Sequence, residues 1–308
     1  TSFTVHPDQL VNTNTDTDIE AMSAVAMGAD GRYVVTWASN GQDGDDWGVF
    51  AQRYNPDGTK NGDEFQVNTH TADGQREPDV AMAADGRFVI TWQSHNQDGS
   101  SWGVYAQRYN ADGTPFGGEF RVNENTADNQ SQPSIAIANN GDFAITWTWW
   151  RGTRYWGHLG GIYAKTYAWD GHISGEFKVE DDHDYYRGDS AYQEDTPEIA
   201  ILETSNKILI TFEEGGNIKA KYSDLNGNNL GWISHSTGGS NPAITICGDE
   251  SYITTWHHDN NIWARILNAD HSPRTDIFRV NQTTDGYQGW PSVSTYPDGQ
   301  FIVTWEGN

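Results

Sequence analysis

Cysteine is almost missing from this chain. Cys247 stands alone among 308 residues, so no disulfide can form within the chain and its stability has to come from packing. It closes the apolar run Ala243-Ile244-Thr245-Ile246-Cys247 and reads as a small buried thiol. Long apolar stretches are missing too. None approaches the roughly 20 residues of a membrane-crossing helix, so insertion by helices is excluded. Positive charge is scarce: 18 Lys+Arg stand against 43 Asp+Glu, a net charge of −25. Such a surface repels nucleic-acid phosphates and anionic membranes. It suits salty water, or the collection of cations.

What the chain has is aromatic residues and glycine. With 14 Trp, 14 Tyr and 33 Gly it is equipped for many short strands joined by tight turns. The stretch Gly86-Arg87-Phe88-Val89-Ile90-Thr91-Trp92 organises the rest. Its six copies end in Thr36-Trp37, Thr91-Trp92, Thr146-Trp147, Thr211-Phe212, Thr255-Trp256 and Thr304-Trp305, at intervals of 55, 55, 65, 44 and 49 residues. A β-type unit with this period indicates a propeller or similar array.

The second copy shows the whole unit. Pro78 to Met82 is a first strand, Ala84-Asp85-Gly86 a turn, and Arg87 to Trp92 a second strand with alternating faces. After a polar loop, Gly103 to Tyr109 is a third strand, Asn110-Ala111-Asp112-Gly113 a turn, and Glu119 to Asn123 a fourth. The sixth copy holds only Pro291 to Val293 and Phe301 to Trp305. The missing half is expected at the other end, with Ser2 to Val5 as third strand and Gln9 to Asn12 as fourth, because Val11-Asn12 matches Val67-Asn68, Val122-Asn123 and Val280-Asn281. The expected fold is all-β: a single domain over 1–308, a six-bladed propeller of four-stranded antiparallel blades. Its last blade is shared between about 1–12 and 289–308, which removes two open sheet edges.

The segments Asp85 to Trp92, Gly103 to Tyr109 and Asp112-Gly113-Thr114-Pro115 resemble repeats of large secreted bacterial proteins of the calcium-binding RTX and adhesin type. That resemblance implies export from the cell. The Pro-x-Val strand, Asp-Gly turn and aromatic strand are also faintly similar to propeller-fold polysaccharide lyases and glycosidases, with no catalytic motif matched.

Consecutive antiparallel strands put the first-to-second and third-to-fourth turns on one side of the disc, and the other loops on the opposite side. The turn side is monotonous. The loop side collects seven of the ten histidines, His70, His95, His158, His183, His235, His257 and His258. It also collects Trp149, Trp150, Arg151, Tyr155 and Trp156 in blade three, Tyr185 after it, and Tyr287 and Trp290 before the last blade. Loops on a rigid scaffold are where binding residues gather. Aromatics placed in loops, with carboxylates and guanidinium groups nearby, suit a sugar ring. The expected function is glycan binding by an extracellular, monomeric domain, through Trp149, Trp150, Arg151, Tyr155, Trp156, His158, His183, Tyr185, Glu213, His257 and Trp290.

Two alternatives stay open. A polysaccharide lyase needs a cation to neutralise a uronate and a base to take the neighbouring proton; Arg151, Tyr155, His257 and His258 are candidates. A glycoside hydrolase needs two facing carboxylates; Glu213, Glu214, Asp259 and Glu306 end or follow the second strands. A scaffold or adhesion module without a ligand is a third reading. Calcium is a possible cofactor, with Asp43, Asp45, Asp181 and Asp184 as candidate oxygen ligands.

Overall fold

The computed structural model describes residues 10–13, 19–151, 159–171, 174–180, 196–295 and 299–307. Those residues form five four-stranded antiparallel sheets and two strands of a sixth. Blade one is β1 (Glu20–Met27), β2 (Tyr33–Asn40), β3 (Trp47–Tyr54) and β4 (Phe65–Gln66). Blade two is β5 (Gln75–Met82), β6 (Phe88–His95), β7 (Trp102–Tyr109) and β8 (Phe120–Arg121). Blade three is β9 (Asn129–Ile137), β10 (Phe143–Arg151), β11 (Leu159–Tyr167) and β12 (Phe177–Lys178). Blade four is β13 (Glu198–Leu202), β14 (Lys207–Glu214), β15 (Asn217–Asp224) and β16 (Asn229–Ser234). Blade five is β17 (Ser240–Ile246), β18 (Tyr252–His258), β19 (Asn261–Leu267) and β20 (Phe278–Arg279), followed by β21 (Gln288–Thr295) and β22 (Phe301–Gly307). Strands lie in chain order within each blade, and the first strand of every blade touches the first strand of the next, from β1 through to β21. This is a six-bladed propeller with its first strands innermost, around a channel.

The repeated motifs each have a packing reason. Trp37, Trp92, Trp147, Phe212 and Trp256 are buried between blades, each burial contributing on the order of 2–3 kcal/mol. Phe88 stacks on Tyr109 at 4.8 Å and Phe143 on Tyr167 at 4.7 Å, pairs that face each other directly across the second and third strands. Trp305, the sixth of the ring set, departs from the expected packing role: it is 38% exposed and donates its Nε1–H to Gln288 Oε1 at 2.6 Å. It lies on the blade of which only two strands are described.

The Asp-Gly-Arg turn reaches beyond its own blade. Asp85 accepts from Arg87 N at 3.1 Å and Arg87 Nε at 2.6 Å, and Arg87 Nη2 donates to Asn140 O of the next turn at 2.9 Å. Gly86 sits at φ +88, and a Cβ there would come within 2.9 Å of Arg32 Nη2 from the preceding blade.

The recurring Val-Asn explains why the fourth strand pairs over only two residues. Past Phe120–Arg121, the side chain of Asn123 takes over: its Oδ1 accepts from Val104 N at 2.8 Å, and its Nδ2 donates to Asp98 Oδ2, Asn125 O and Gln130 Oε1 at 3.2, 2.8 and 3.0 Å. Asn68 does the same with Val49 N, Asp43, His70 O and Gln75.

The next residue latches blades together. Thr69 N and Oγ1 donate to Glu119 Oε2 at 2.6 and 3.0 Å. Thr13 N and Oγ1 donate to Glu64 Oε2 at the same 2.6 and 3.0 Å. Val11-Asn12-Thr13 therefore stands against blade one as Val67-Asn68-Thr69 stands against blade two, where the outer strand of the closing blade is expected. The expected strand at Ser2 to Val5 lies outside the described residues.

Candidate functional site

Each innermost strand carries the same backbone device at its loop-side end. Met22, Glu77, Gln132, Thr196, Asn241 and Trp290 all have left-handed φ, between 51 and 59°. In five of the blades the ladder slips at this point, between Ala21 and Ala24, Arg76 and Asp79, Ser131 and Ser134, Ser240 and Ala243, and Gly289 and Ser292. A β-bulge of this kind re-aims the side chain it carries. The chain thus presents six different residues round one mouth of the channel, two positions before the ring Ala24, Asp79, Ser134, Glu198, Ala243 and Ser292.

Two members of that inner ring are acids. Asp79 Oδ1 accepts from Val80 N at 2.8 Å and its Oδ2 from Ile135 N at 2.9 Å. Glu198 Oε2 lies 3.3 Å from Ser134 Oγ, and the Ser134 side chain also reaches Asp79. Loss of water to the surrounding protein raises both carboxyls above the usual range, although each residue keeps part of its surface open. For Glu198, burial is the largest cause and the charge of Asp79 adds to it; for Asp79, burial is opposed by the two backbone amides. These acids escaped the sequence reading, which sought chemistry in the loops. The signal was present: after the repeated proline the other blades carry Ser134, Ala243 or Ser292, and only these two a carboxylate.

On the loop side, blades five and six bring candidates together. His257 Nδ1 lies 3.2 Å from Ser240 Oγ, and its ring centre is 5.0 Å from that of Tyr287. Burial, then the neighbouring His258, lowers its pKa. His258 Nε2 lies 3.4 Å from Asp259 Oδ2. Trp290 is 54% exposed. His235, expected on this open face, is buried instead; burial pushes it down to about 3, and neither ring nitrogen finds a hydrogen-bond partner among the described residues.

Blade three differs from expectation. Trp149, Trp150 and Arg151 belong to the strand β10, opposite Gly161, Gly160 and Leu159, rather than to a loop. Trp149 donates Nε1–H to Ala127 O at 3.2 Å, and Arg151 lies 3.8 Å from Asp128. Glu213 and Glu214 end β14, and Glu214 pairs with Lys219. Tyr155, Trp156, His158, His183 and Tyr185 lie outside the described residues, as do Asp181 and Asp184.

Of the other acids expected for calcium, Asp43 accepts from Asn68 Nδ2 at 3.1 Å and Asp45 from Asp73 N at 2.9 Å. Among the described residues no three His, Cys, Asp or Glu side chains gather as metal ligands. Cys247, read as buried, is half-buried; it borders a cleft between blades five and six with Asp249, Ser251, Arg274 and Phe301.

No family model matches this sequence, and no curated protein matches it. Solved structures do resemble the fold. A protein of unknown function from Dyadobacter fermentans aligns over 97% of this chain and 93% of its own, with TM-score 0.65 and 13% identity. The α-L-arabinofuranosidase of Fusarium graminearum, solved with an iminosugar inhibitor, aligns over 94% and 88%, with TM-score 0.59 and 13% identity. An α-L-arabinanase of Penicillium chrysogenum, complexed with arabinobiose, aligns over 94% and 93%, with TM-score 0.56 and 11% identity. At these identities the likeness is one of fold, and the fold this chain shares is that of propeller proteins, glycosidases among them.

Proposed function

We propose that the protein is an extracellular glycan-recognising propeller that takes its ligand at the loop-side mouth of the channel. One observation carries this: an exposed indole, Trp290, is held on the innermost strand by a left-handed bulge, within three residues of the Tyr287–His257 ring pair. An aromatic face at a channel mouth, ringed by amide and hydroxyl side chains from Gln132, Thr196 and Asn241, offers what a sugar asks for: an apolar plane with polar partners at its edge. The acidic surface argues for a neutral glycan rather than a polyanionic one. The fold likeness to an arabinofuranosidase and an arabinanase supports including linear arabinan among the probes.

The test is electrophoresis through gels containing plant, algal and microbial polysaccharides, linear arabinan included. At least one retards the wild-type protein, and Trp290→Ala lowers that affinity by about tenfold or more while melting like the wild type. Retardation by no member of the panel, or equal retardation of Trp290→Ala, rejects the mouth as the binding surface.

A further inference from the structure

We propose that Asp79 and Glu198 are catalytic, forming a centre that hydrolyses a glycosidic bond of the glycan held at the mouth. This rests on the reading just given and adds a reaction to it.

Position is the first argument. The pair lies two residues, roughly 7 Å, inward of the bulge ring, on the same side of the disc as Trp290. A glycan entering the channel at this mouth therefore meets the acids. The second argument is cost. The same ring position is Ala24, Ala243, Ser134 or Ser292 in the other four blades, so packing the channel requires no acid. Two carboxyls removed from most of their water weaken a fold unless something else retains them. The third argument is asymmetry. Two backbone amides hold Asp79 and favour its charged form, whereas among the described residues Glu198 has only the longer contact with Ser134 and faces the Asp79 charge. Environments that separate two neighbouring carboxyls in this way assign their roles: Asp79 is the carboxylate and Glu198 the acid.

The chemistry follows. Both carboxyls reach the Ser134 side chain, and a pair so placed suits direct attack by one of them on the anomeric carbon rather than a water set between the two. Glu198 gives its proton to the glycosidic oxygen as the bond from the anomeric carbon to that oxygen breaks, and Asp79 bonds to the anomeric carbon. Water then attacks that carbon, its proton passes to Glu198, and the bond to Asp79 breaks. One water is consumed per linkage, and the configuration is retained.

The experiment uses the full chain and the polysaccharide panel, measuring new reducing ends for the wild type, Asp79→Asn and Glu198→Gln. The wild type releases reducing ends from a polysaccharide that retards it. Both isosteric variants are slowed by at least about 100-fold with retardation unchanged. Glu198→Gln also loses the fall in rate that the wild type shows as pH rises past neutral, a change that a purely structural role would not produce. Should either variant fail to melt cooperatively, Glu198→Asp replaces it: a shortened acid that keeps its proton gives a partial rate. A wild type that binds a polysaccharide yet cleaves none of the panel overturns the catalytic proposal and leaves the binding reading standing. So does a Glu198→Gln variant as fast as the wild type, or an inverted anomer in the product. A wild type that neither binds nor cleaves rejects the binding reading itself.

Discussion

Asn123→Ala tests whether the recurring Val-Asn holds a blade together. Asn123 is 2% exposed and makes four hydrogen bonds, one received from Val104 N and three given to Asp98, Asn125 O and Gln130. Val104 is fully buried, so its amide finds no water once the acceptor is gone; that alone costs about 1–3 kcal/mol. Asp98 can turn toward solvent, but Gln130 is buried and loses a donor, and the loop carbonyl of Asn125 is left without its side-chain partner. Together these give a loss of about 3–4 kcal/mol, a large fraction of the stability of an ordinary domain. The assay is urea unfolding followed by the fluorescence of the buried tryptophans, comparing midpoints at equal slope. Asn123→Asp is the informative companion. It keeps the acceptor for Val104 but sets a carboxylate against Asp98 and the Gln130 carbonyl, so it loses most near neutral pH and recovers in acid. A loss below about 1 kcal/mol for Asn123→Ala would refute the idea that this side chain carries on the strand ladder.

Two further outcomes follow from turns and from charge. Gly86→Ala and Gly99→Ala both force an alanine to a left-handed φ, of +88 and +93, but only at Gly86 does the new Cβ meet Arg32. Each is expected to lose about 1 kcal/mol, Gly86→Ala more than Gly99→Ala by thermal melting; equal losses would mean that Arg32 contributes nothing across the blade boundary. The acid pair makes stability fall as pH rises. Because both folded pKa values are raised, the folded chain holds protons that the unfolded chain has already released above the ordinary carboxylate range of about 4, so the contribution is greatest below that range and is lost as pH climbs toward and past neutral. Asp249, lowered to about 2 mainly by Ser251 and then by Arg274, acts in the opposite sense, its contribution fading only as the solution becomes strongly acid. Urea midpoints of the wild type should therefore drop between about pH 5 and about pH 8, and those of Glu198→Gln should drop less. Parallel curves would remove the pair from the account.

Much of the fold was legible because packing repeats. Trp92 and Trp147 lie where a period-two strand must bury something large, Gly86 where a turn needs a left-handed residue, and Val11-Asn12 where the last blade lacks a fourth strand. Trp149 and Trp150 lie in β10 and not in a loop because the ladder continues through their pairing with Gly161 and Gly160, which no local pattern announces. The acid pair was illegible for another reason. Asp79 and Glu198 are 119 positions apart in the numbering, and only the circular arrangement of first strands makes them neighbours. Each looks like an ordinary strand-edge carboxylate until Ser134 is seen between them.

The six left-handed positions give the molecule a property its repeats conceal. The blades are close copies because each must fit the next, yet the residue at each such position is different, running methionine, glutamate, glutamine, threonine, asparagine and tryptophan around the rim. None of these six belongs to the fully buried core between blades. A circular scaffold under strict geometric constraint between its blades thus leaves the rim of its centre room to vary in sequence from blade to blade.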